Sequence, residues 1–352
     1  MYPTVEPPPR RILIKEVNWL GDLVMSLPAL RAIRRSFPHA HVSVLVKNEL
    51  SGFFDGIRWI DEVIPYSVRG GVGGISDRLS VVRAIRSTGC DLAVLFPNSF
   101  ESALWVTMAR VPRRAGYAKD GRGVLLTHRL KPPPHVMGGH QVHYWLAMVR
   151  NTIGAAGNAH DLALTPDEKH LQSMRAWLDA HRKRKDARLI AVAPAAAFGP
   201  AKEWPADHFV KLIDGLAEHH DAECVLVGAP NERSRCDQIA AGTRSGAMVA
   251  AGDTGIGELI ALLALADGFV GNDSGAMHVA AALGRPTVGI FGSTNPERTG
   301  PLGPQTRVLW HRLDCTPCLQ RTCRFGHYDC LKGTPPAHAL SALRSLGAVP
   351  GR

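Results

Sequence analysis

Short apolar runs alternate with longer stretches of helical period along most of the chain. Residues 11–17, 42–46, 90–96, 189–193, 222–227, 268–270 and 287–291 are compact and apolar, and they predict strands buried on both faces. Residues 23–37 place Leu23, Leu27, Leu30, Ile33 and Phe37 at helical spacing, with Arg31, Arg34 and Arg35 on the outer side. Pro28 within that stretch predicts either a kink or the true first turn, with Ser26 as its cap. Similar periods predict helices over 140–152, 170–181, 209–219, 259–266, 276–283 and 336–346. Strands and helices alternating in this way predict an α/β fold of parallel sheets built from βαβ units.

The stretch 268–295 organises the rest. A strand end runs into the polar loop Gly271-Asn272-Asp273-Ser274-Gly275, and an alanine-rich helix follows. Gly284 suits the residue after that helix and Pro286 blocks its continuation, so the strand 287–291 comes next. A small-residue loop feeding a helix N-terminus offers backbone N–H groups and the positive dipole end to a phosphate. From local pattern alone, Asp273 or Ser274 acting only as an N-cap is an equal reading. His278 falls on the first helical turn, as a buried helix histidine or as a site group. The first βαβ unit carries a comparable loop, 18–22. It sets Asp22 at the C-terminal edge of the sheet, where open α/β folds bind ligands. Spacing alone favours an aspartate that complements the helix dipole.

A length of 352 residues, with 45% apolar and 20% charged positions, fits two ordinary globular domains. We expect a loose tail at 1–10, an N-terminal domain over 11–185 and a C-terminal domain over 186–334. Residues 335–352 are expected to form a helix packing back across both domains. No apolar run is long enough to span a bilayer, and the proline-rich N-terminus lacks a signal-peptide core. The net charge of +10 favours a polyanionic partner such as nucleic acid, an anionic membrane surface or a phosphorylated glycolipid, without choosing among them. The basic run 181–185 reads as a solvated linker or helix end. The glycine-rich run 67–77 lacks the GK[ST] of a phosphate loop and reads as a flexible connector. Seven cysteines without an export signal indicate a reducing compartment.

Asn272-Asp273-Ser274-Gly275-Ala276-Met277-His278, followed by Ala281-Ala282-Leu283-Gly284-Arg285-Pro286, resembles the signature of the ADP-heptose:lipopolysaccharide heptosyltransferases. Gly21-Asp22 with Leu27-Pro28-Ala29-Leu30 is similar to the same family. So are Pro97-Asn98-Ser99-Phe100-Glu101-Ser102-Ala103-Leu104, Arg113-Arg114-Ala115-Gly116-Tyr117 and Phe198-Gly199-Pro200-Ala201-Lys202-Glu203-Trp204-Pro205. These motifs look nearest to the type II branch, which adds the second heptose of the inner core, and they span roughly residues 11–345. The resemblance implies a GT-B fold, with two Rossmann-like domains facing across a cleft. It implies an inverting transfer of heptose from ADP-heptose to heptosyl-Kdo2-lipid A in a Gram-negative cytoplasm, at the inner face of an anionic membrane. Within it, Asp22 is the implied general base and Lys202 the charge that meets the donor diphosphate. Asp273, Ser274, Gly275 and His278 would line the donor phosphates, and Glu232 would meet the adenosine ribose. Lys15, Asn98, Ser99, Arg113 and Arg114 are candidates for the acceptor side. The chain departs from the family at Ala195-Ala196-Ala197, where a Gly-Ala-Glu is usual, so no carboxylate stands there for any donor-sugar contact.

Cys315, Cys318, Cys323 and Cys330 lie within sixteen residues, with His327 between the last two. Four such thiols can bind zinc or an iron–sulfur cluster, but the spacing is not that of a paired zinc knuckle. The family chemistry needs no metal or other cofactor, so reduced thiols packing a loop, or an oxidisable pair, are the expectation. Sister enzymes adding the first or third heptose share the donor motifs and are the alternative within the family. A basic, metal-clipped nucleic-acid module is the alternative outside it. That module leaves Asp22, Lys202 and the 273–278 stretch without a role, so no nucleic acid is expected.

Overall fold

The computed structural model describes residues 5–71 and 74–350. The chain forms two compact units, Met1–Leu162 and Ala163–Arg352. In the first, β1 (Arg11–Lys15), β2 (His41–Lys47), β3 (Glu62–Tyr66), β4 (Leu92–Leu95), β5 (Arg113–Tyr117) and β6 (His128–Leu130) pair in the order β3-β2-β1-β4-β5-β6. In the second, β7 (Arg188–Ala193), β8 (Ala222–Leu226), β9 (Met248–Val249), β10 (Gly268–Asn272), β11 (Thr287–Phe291) and β12 (Thr306–Trp310) pair as β12-β11-β10-β7-β8-β9. Every pairing in both sheets is parallel. Counted from its own first strand, each sheet therefore has the same doubly wound order. Each has a switch point where the connections reverse direction, at β1/β4 and at β7/β10.

The central strands are uniformly apolar because helices cover both faces. Ile12, Leu13 and Ile14 of β1, and Ile190, Ala191 and Val192 of β7, are fully buried. Side chains such as Leu13, Ile85, Ala93 and Val106 pack one core of the first unit. Trp204, Phe209, Leu212, Leu226 and Leu343 pack together in the second.

Several expectations shift. The first helix runs over Leu20–Ser36, so Asp22 stands inside its first turn and Pro28 lies well within it. Ser26 does not cap that helix but is buried, donating to the carbonyl of Leu23 at 2.8 Å. Residues 1–4 of the expected tail and residues 72–73 of the glycine-rich run lie outside the described residues. The described part of the tail is docked, with Val5 buried and the carbonyl of Pro7 accepting from Arg113. The boundary falls near residue 162 rather than 186, since the helix Glu168–His181 packs on the helix Ile256–Leu265 of the second unit. The C-terminal helix Pro336–Ser345 lies on the helix Ala206–His220 and on β10 and β11, all within the second unit. The basic run is pinned by carboxylates: Arg182 to Glu223, Arg184 to Asp221 and Lys185 to Asp179.

Candidate functional site

In the second unit the loops leaving β7 and β10 meet at the switch point. The loop after β7 ends in a short 3-10 turn, Pro200–Lys202. It is entered through Gly199 at φ +137, where a Cβ would stand 2.8 Å from the carbonyl of Arg321. Lys202 Nζ lies 2.6 Å from Asp273 Oδ2, and Thr294 Oγ1 donates to the same oxygen at 2.7 Å. The Asp273 side chain is 4% exposed and that of Lys202 is 14% exposed. The ammonium is also 5.0 Å from the centre of the Phe198 ring. A buried pair of this kind holds one cation at a fixed point while leaving part of it open to a ligand.

What fixes this loop is a set of residues that the sequence did not single out. Asn272, the fully buried last residue of β10, accepts the Trp204 N–H at 2.9 Å and donates to the carbonyl of Pro194 at 2.9 Å. Arg235 donates to the carbonyls of Pro194 (2.8 Å) and Trp204 (2.9 Å) and pairs with Glu203 at 3.1 Å. Both ends of the 194–204 loop are thus tied to the sheet end that carries Asp273.

The helix Gly275–Ala282 begins at this point. Its N-cap, Ser274, has extended backbone (φ −145, ψ 169) but makes no side-chain cap, and its Oγ is buried without a partner. The first N–H groups of a helix lack intrahelical acceptors, so an uncapped start here directs donors toward an anion. Asp273 does not belong to that donor set, contrary to the expectation of a direct phosphate contact. Its N–H is spent on Ile290 of β11 at 3.0 Å, and its carboxylate anchors Lys202. His278 is buried one turn into the helix. Glu232 is half-buried and accepts the Ala229 N–H at 2.8 Å. Burial raises its carboxyl above the ordinary range, and that hydrogen bond partly offsets the rise. The 251–254 turn closes beside it, with Arg233 reaching the carbonyl of Ala251 (3.0 Å) and the carboxylate of Asp253 (2.6 Å).

In the first unit the β1/β4 switch point carries Asp22, partly buried at the start of the first helix. Just ahead of the 18–22 loop, at the end of β1, come two buried ionisable groups, Lys15 (2% exposed) and Glu16 (fully buried). Lys15 Nζ donates to the Glu16 carbonyl, lies 3.4 Å from Asn18 Oδ1 and sits 4.9 Å from the centre of the Tyr66 ring. The Glu16 carboxyl accepts the Val17 N–H at 2.9 Å, and its Oε2 lies 3.2 Å from the Ser26 hydroxyl oxygen. Desolvation pulls the Lys15 amine down to about 7 and pushes the Glu16 carboxyl up to about 8. Buried in this way, Lys15 supports the loop that presents Asp22 and is withdrawn from direct contact with an acceptor anion, against expectation. Nothing in the local pattern of the first strand marks Glu16 as a buried acid.

Asn98 donates to the Tyr144 hydroxyl at 2.8 Å, and its Oδ1 is buried without a hydrogen-bond partner. Ser99 is the N-cap of the helix Phe100–Met108, accepting the Ser102 N–H at 3.3 Å, which accounts for it structurally. Fully buried Arg122, absent from the sequence reading, donates to the carbonyls of Pro97 and Tyr117 and so fixes the 97–99 loop. Arg113 and Arg114 stand at the N-terminal end of β5, the opposite edge of the sheet from Asp22. Arg113 is spent on Asp91, and Arg114 on the carbonyls of Val111 and Leu125. Their placement corrects the expectation that they meet acceptor anions.

Known proteins match this chain over nearly its whole length. The profile of glycosyltransferase family 9 (heptosyltransferase) matches residues 78–329. Lipopolysaccharide heptosyltransferase 2 of Salmonella typhimurium is 29% identical over 352 residues, covering 96% of this chain and 98% of its own. The structure of E. coli ADP-heptose LPS heptosyltransferase II superposes with a TM-score of 0.81 at 26% identity, covering 96% of this chain and 98% of that one. A family 9 glycosyltransferase from Veillonella parvula shares the fold, with a TM-score of 0.85 at 21% identity over 97% of this chain and 98% of that one. The two doubly wound units are those of the GT-B class. The chain belongs to glycosyltransferase family 9, the heptosyltransferases.

Proposed function

We propose that the chain moves L-glycero-D-manno-heptose from ADP-heptose to the first heptose of heptosyl-Kdo2-lipid A, with inversion at the anomeric carbon. The observation that carries the donor side is the Lys202–Asp273 pair beside an uncapped helix start. A departing ADP gains charge, and a fixed ammonium together with unpaired backbone N–H groups meets that charge without reorganising. Glu232, with one carboxylate oxygen already anchored, suits a ribose hydroxyl. On the acceptor side, Asp22 is the base that takes the proton from the attacking hydroxyl. Such a base contributes roughly a hundred- to ten-thousandfold. The reacting sugar passes through an oxocarbenium-like state. Asn98, in the loop after β4, is the side chain assigned to the acceptor side, its Oδ1 still without a hydrogen-bond partner. The choice of a lipopolysaccharide acceptor and of its second heptose is supported by the names of the relatives above. Among the described residues no helix is long and apolar enough to cross a membrane. The net charge of +10 suits transient contact with an anionic lipid surface.

The test is transfer itself. Purified protein is incubated with ADP-heptose and Kdo2-lipid A carrying one heptose, and mass spectrometry reads the addition of a single heptose. Addition only to the heptosylated acceptor, lost in Asp22→Asn, is the expected result. Addition to the bare Kdo acceptor makes this a first-heptose enzyme. No transfer to either acceptor overturns the proposal.

A further inference from the structure

Phe198, in the loop that carries Lys202, is flanked by two cations. Lys202 Nζ lies 5.0 Å from the centre of its ring, and the guanidinium carbon of Arg321 lies 5.4 Å from the same centre. Lys202 comes from the loop after β7, whereas Arg321 comes from the segment after β12. Their meeting is built into the backbone. The Ala201 N–H donates to the carbonyl of Arg321 at 3.0 Å, and the Leu319 N–H donates to the carbonyl of Ser293 at 2.8 Å. The Ser293 N–H in turn donates to the carbonyl of Ala201 at 3.2 Å. Gly199 permits this approach, since a Cβ there would also stand 3.4 Å from the Cβ of Arg321. Residues 319–321 thus clasp the two loops that carry Lys202 and Thr294, both partners of Asp273. The four cysteines of the same segment are free thiols, and among the described residues no group of three His, Cys, Asp or Glu side chains is placed to hold a metal ion.

The cations at this end of the sheet are not equivalent. Lys202, Arg233 and Arg235 are each spent on a carboxylate: Asp273 at 2.6 Å, Asp253 at 2.6 Å and Glu203 at 3.1 Å. A cation neutralised in this way offers an incoming anion a dipole rather than a full charge. The Arg321 side chain is exposed and, among the described residues, has no carboxylate within ion-pair distance. Its guanidinium is held over the Phe198 ring, a contact that orients the planar fork and leaves its N–H groups open to a ligand.

We infer that Arg321 is a second donor-binding cation, whose guanidinium takes the nucleotide's diphosphate together with Lys202 and supplies the net positive charge that the Lys202–Asp273 pair lacks. This deepens the donor reading above and rests on it. Two cations that share one ring lie within reach of a single diphosphate, and a guanidinium fork suits two oxygens of one phosphate. ADP gains charge as it leaves, so the contact strengthens along the reaction and acts on kcat as well as on binding. Phe198 is the positioning residue, because its ring sets where the guanidinium stands.

Wild type, Arg321→Gln and Arg321→Lys are titrated with ADP and with adenosine by calorimetry. A charge-assisted contact of this kind corresponds to roughly ten- to a hundredfold in affinity. Arg321→Gln should therefore bind ADP at least about tenfold more weakly while keeping the wild-type affinity for adenosine. Its ADP affinity should also depend less steeply on salt. Arg321→Lys should recover part of the loss. The side chain is exposed, so the Gln variant should melt with the wild type. Equal ADP affinity in wild type and Arg321→Gln overturns the inference and leaves the donor reading standing. So does a loss shared equally by adenosine, the mark of a loop that has only lost its packing. A wild type that binds no ADP removes the donor reading, and this inference with it. In heptose transfer the kcat of Arg321→Gln should fall by at least about tenfold, and an unchanged kcat overturns the claim that the contact strengthens along the reaction.

Discussion

Replacing Lys202 by Met separates what its ammonium does for the fold from what it does for the donor. Met fills nearly the same space without charge. The change leaves the Asp273 carboxylate, 4% exposed, with the hydroxyl of Thr294 at 2.7 Å as its remaining side-chain partner. Stranding one member of a buried ion pair costs about 3–5 kcal/mol. Lys202 is itself 14% exposed, so water reaches the gap and the lower end, about 3 kcal/mol, is expected. For a unit the size of Ala163–Arg352 that is a fall of roughly 6–12 °C in melting temperature. Adding Asp273→Asn removes the stranded charge and keeps an oxygen for Thr294. The double variant should regain most of the lost stability, with a coupling of at least about 1 kcal/mol. Turnover should not return, because the charge proposed to meet the leaving diphosphate is still missing. The expected deficit is roughly a hundred- to a thousandfold in kcat. Urea unfolding of the wild type, both single variants and the double variant, alongside kcat and KM for ADP-heptose, tests this. A double variant no more stable than Lys202→Met refutes the pairing argument, and a double variant with restored kcat refutes the catalytic one.

Glu16→Gln should flatten part of the pH dependence of stability. The Glu16 carboxyl rises from 4.5 to about 8 on folding, so its contribution is complete below the unfolded value and is lost as pH rises through that window. The wild type should therefore lose stability relative to the amide variant by up to about 1.4 kcal/mol per pH unit there. Lys15 runs the other way, since its amine falls from 10.5 to about 7 and its contribution is lost as pH drops through that window. Chemical unfolding at several pH values tests the Glu16 difference, and parallel curves for the two proteins would show that Glu16 is ionised in the fold. Asn272→Ala removes both tethers of the 194–204 loop and should cost about 2–4 kcal/mol. It should raise KM for ADP-heptose more than it lowers kcat, and steady-state kinetics showing an unchanged KM would sink that reading.

The interior of both sheets was legible in the sequence because those strands are covered on both faces and must be apolar throughout. All four sheet edges escaped notice. β3 contains Pro65, β6 and β9 are only three and two residues long, and β12 opens on the polar pair Thr306-Arg307. An edge strand pairs on one side only and tolerates such residues. The loops around Asp22, Lys202 and Asp273 were readable from their small residues and their position after strands. Asn272, Arg235 and Arg122 were not, because their role lies in backbone groups far away in sequence. Asn272, for instance, bonds partners 68 and 78 positions distant. The start of the first helix was misplaced because its N-cap, Trp19, offers no side-chain cap to read.

Ser274 sets a limit on how this protein can be improved. An aspartate there would cap the helix with its own carboxylate, at a gain of about 1 kcal/mol. It would also lodge a permanent anion where the donor's diphosphate is proposed to sit. Selection for heat resistance and selection for turnover therefore pull this codon in opposite directions. A library screened on melting temperature alone should drift toward acidic residues at position 274 and accumulate inactive winners.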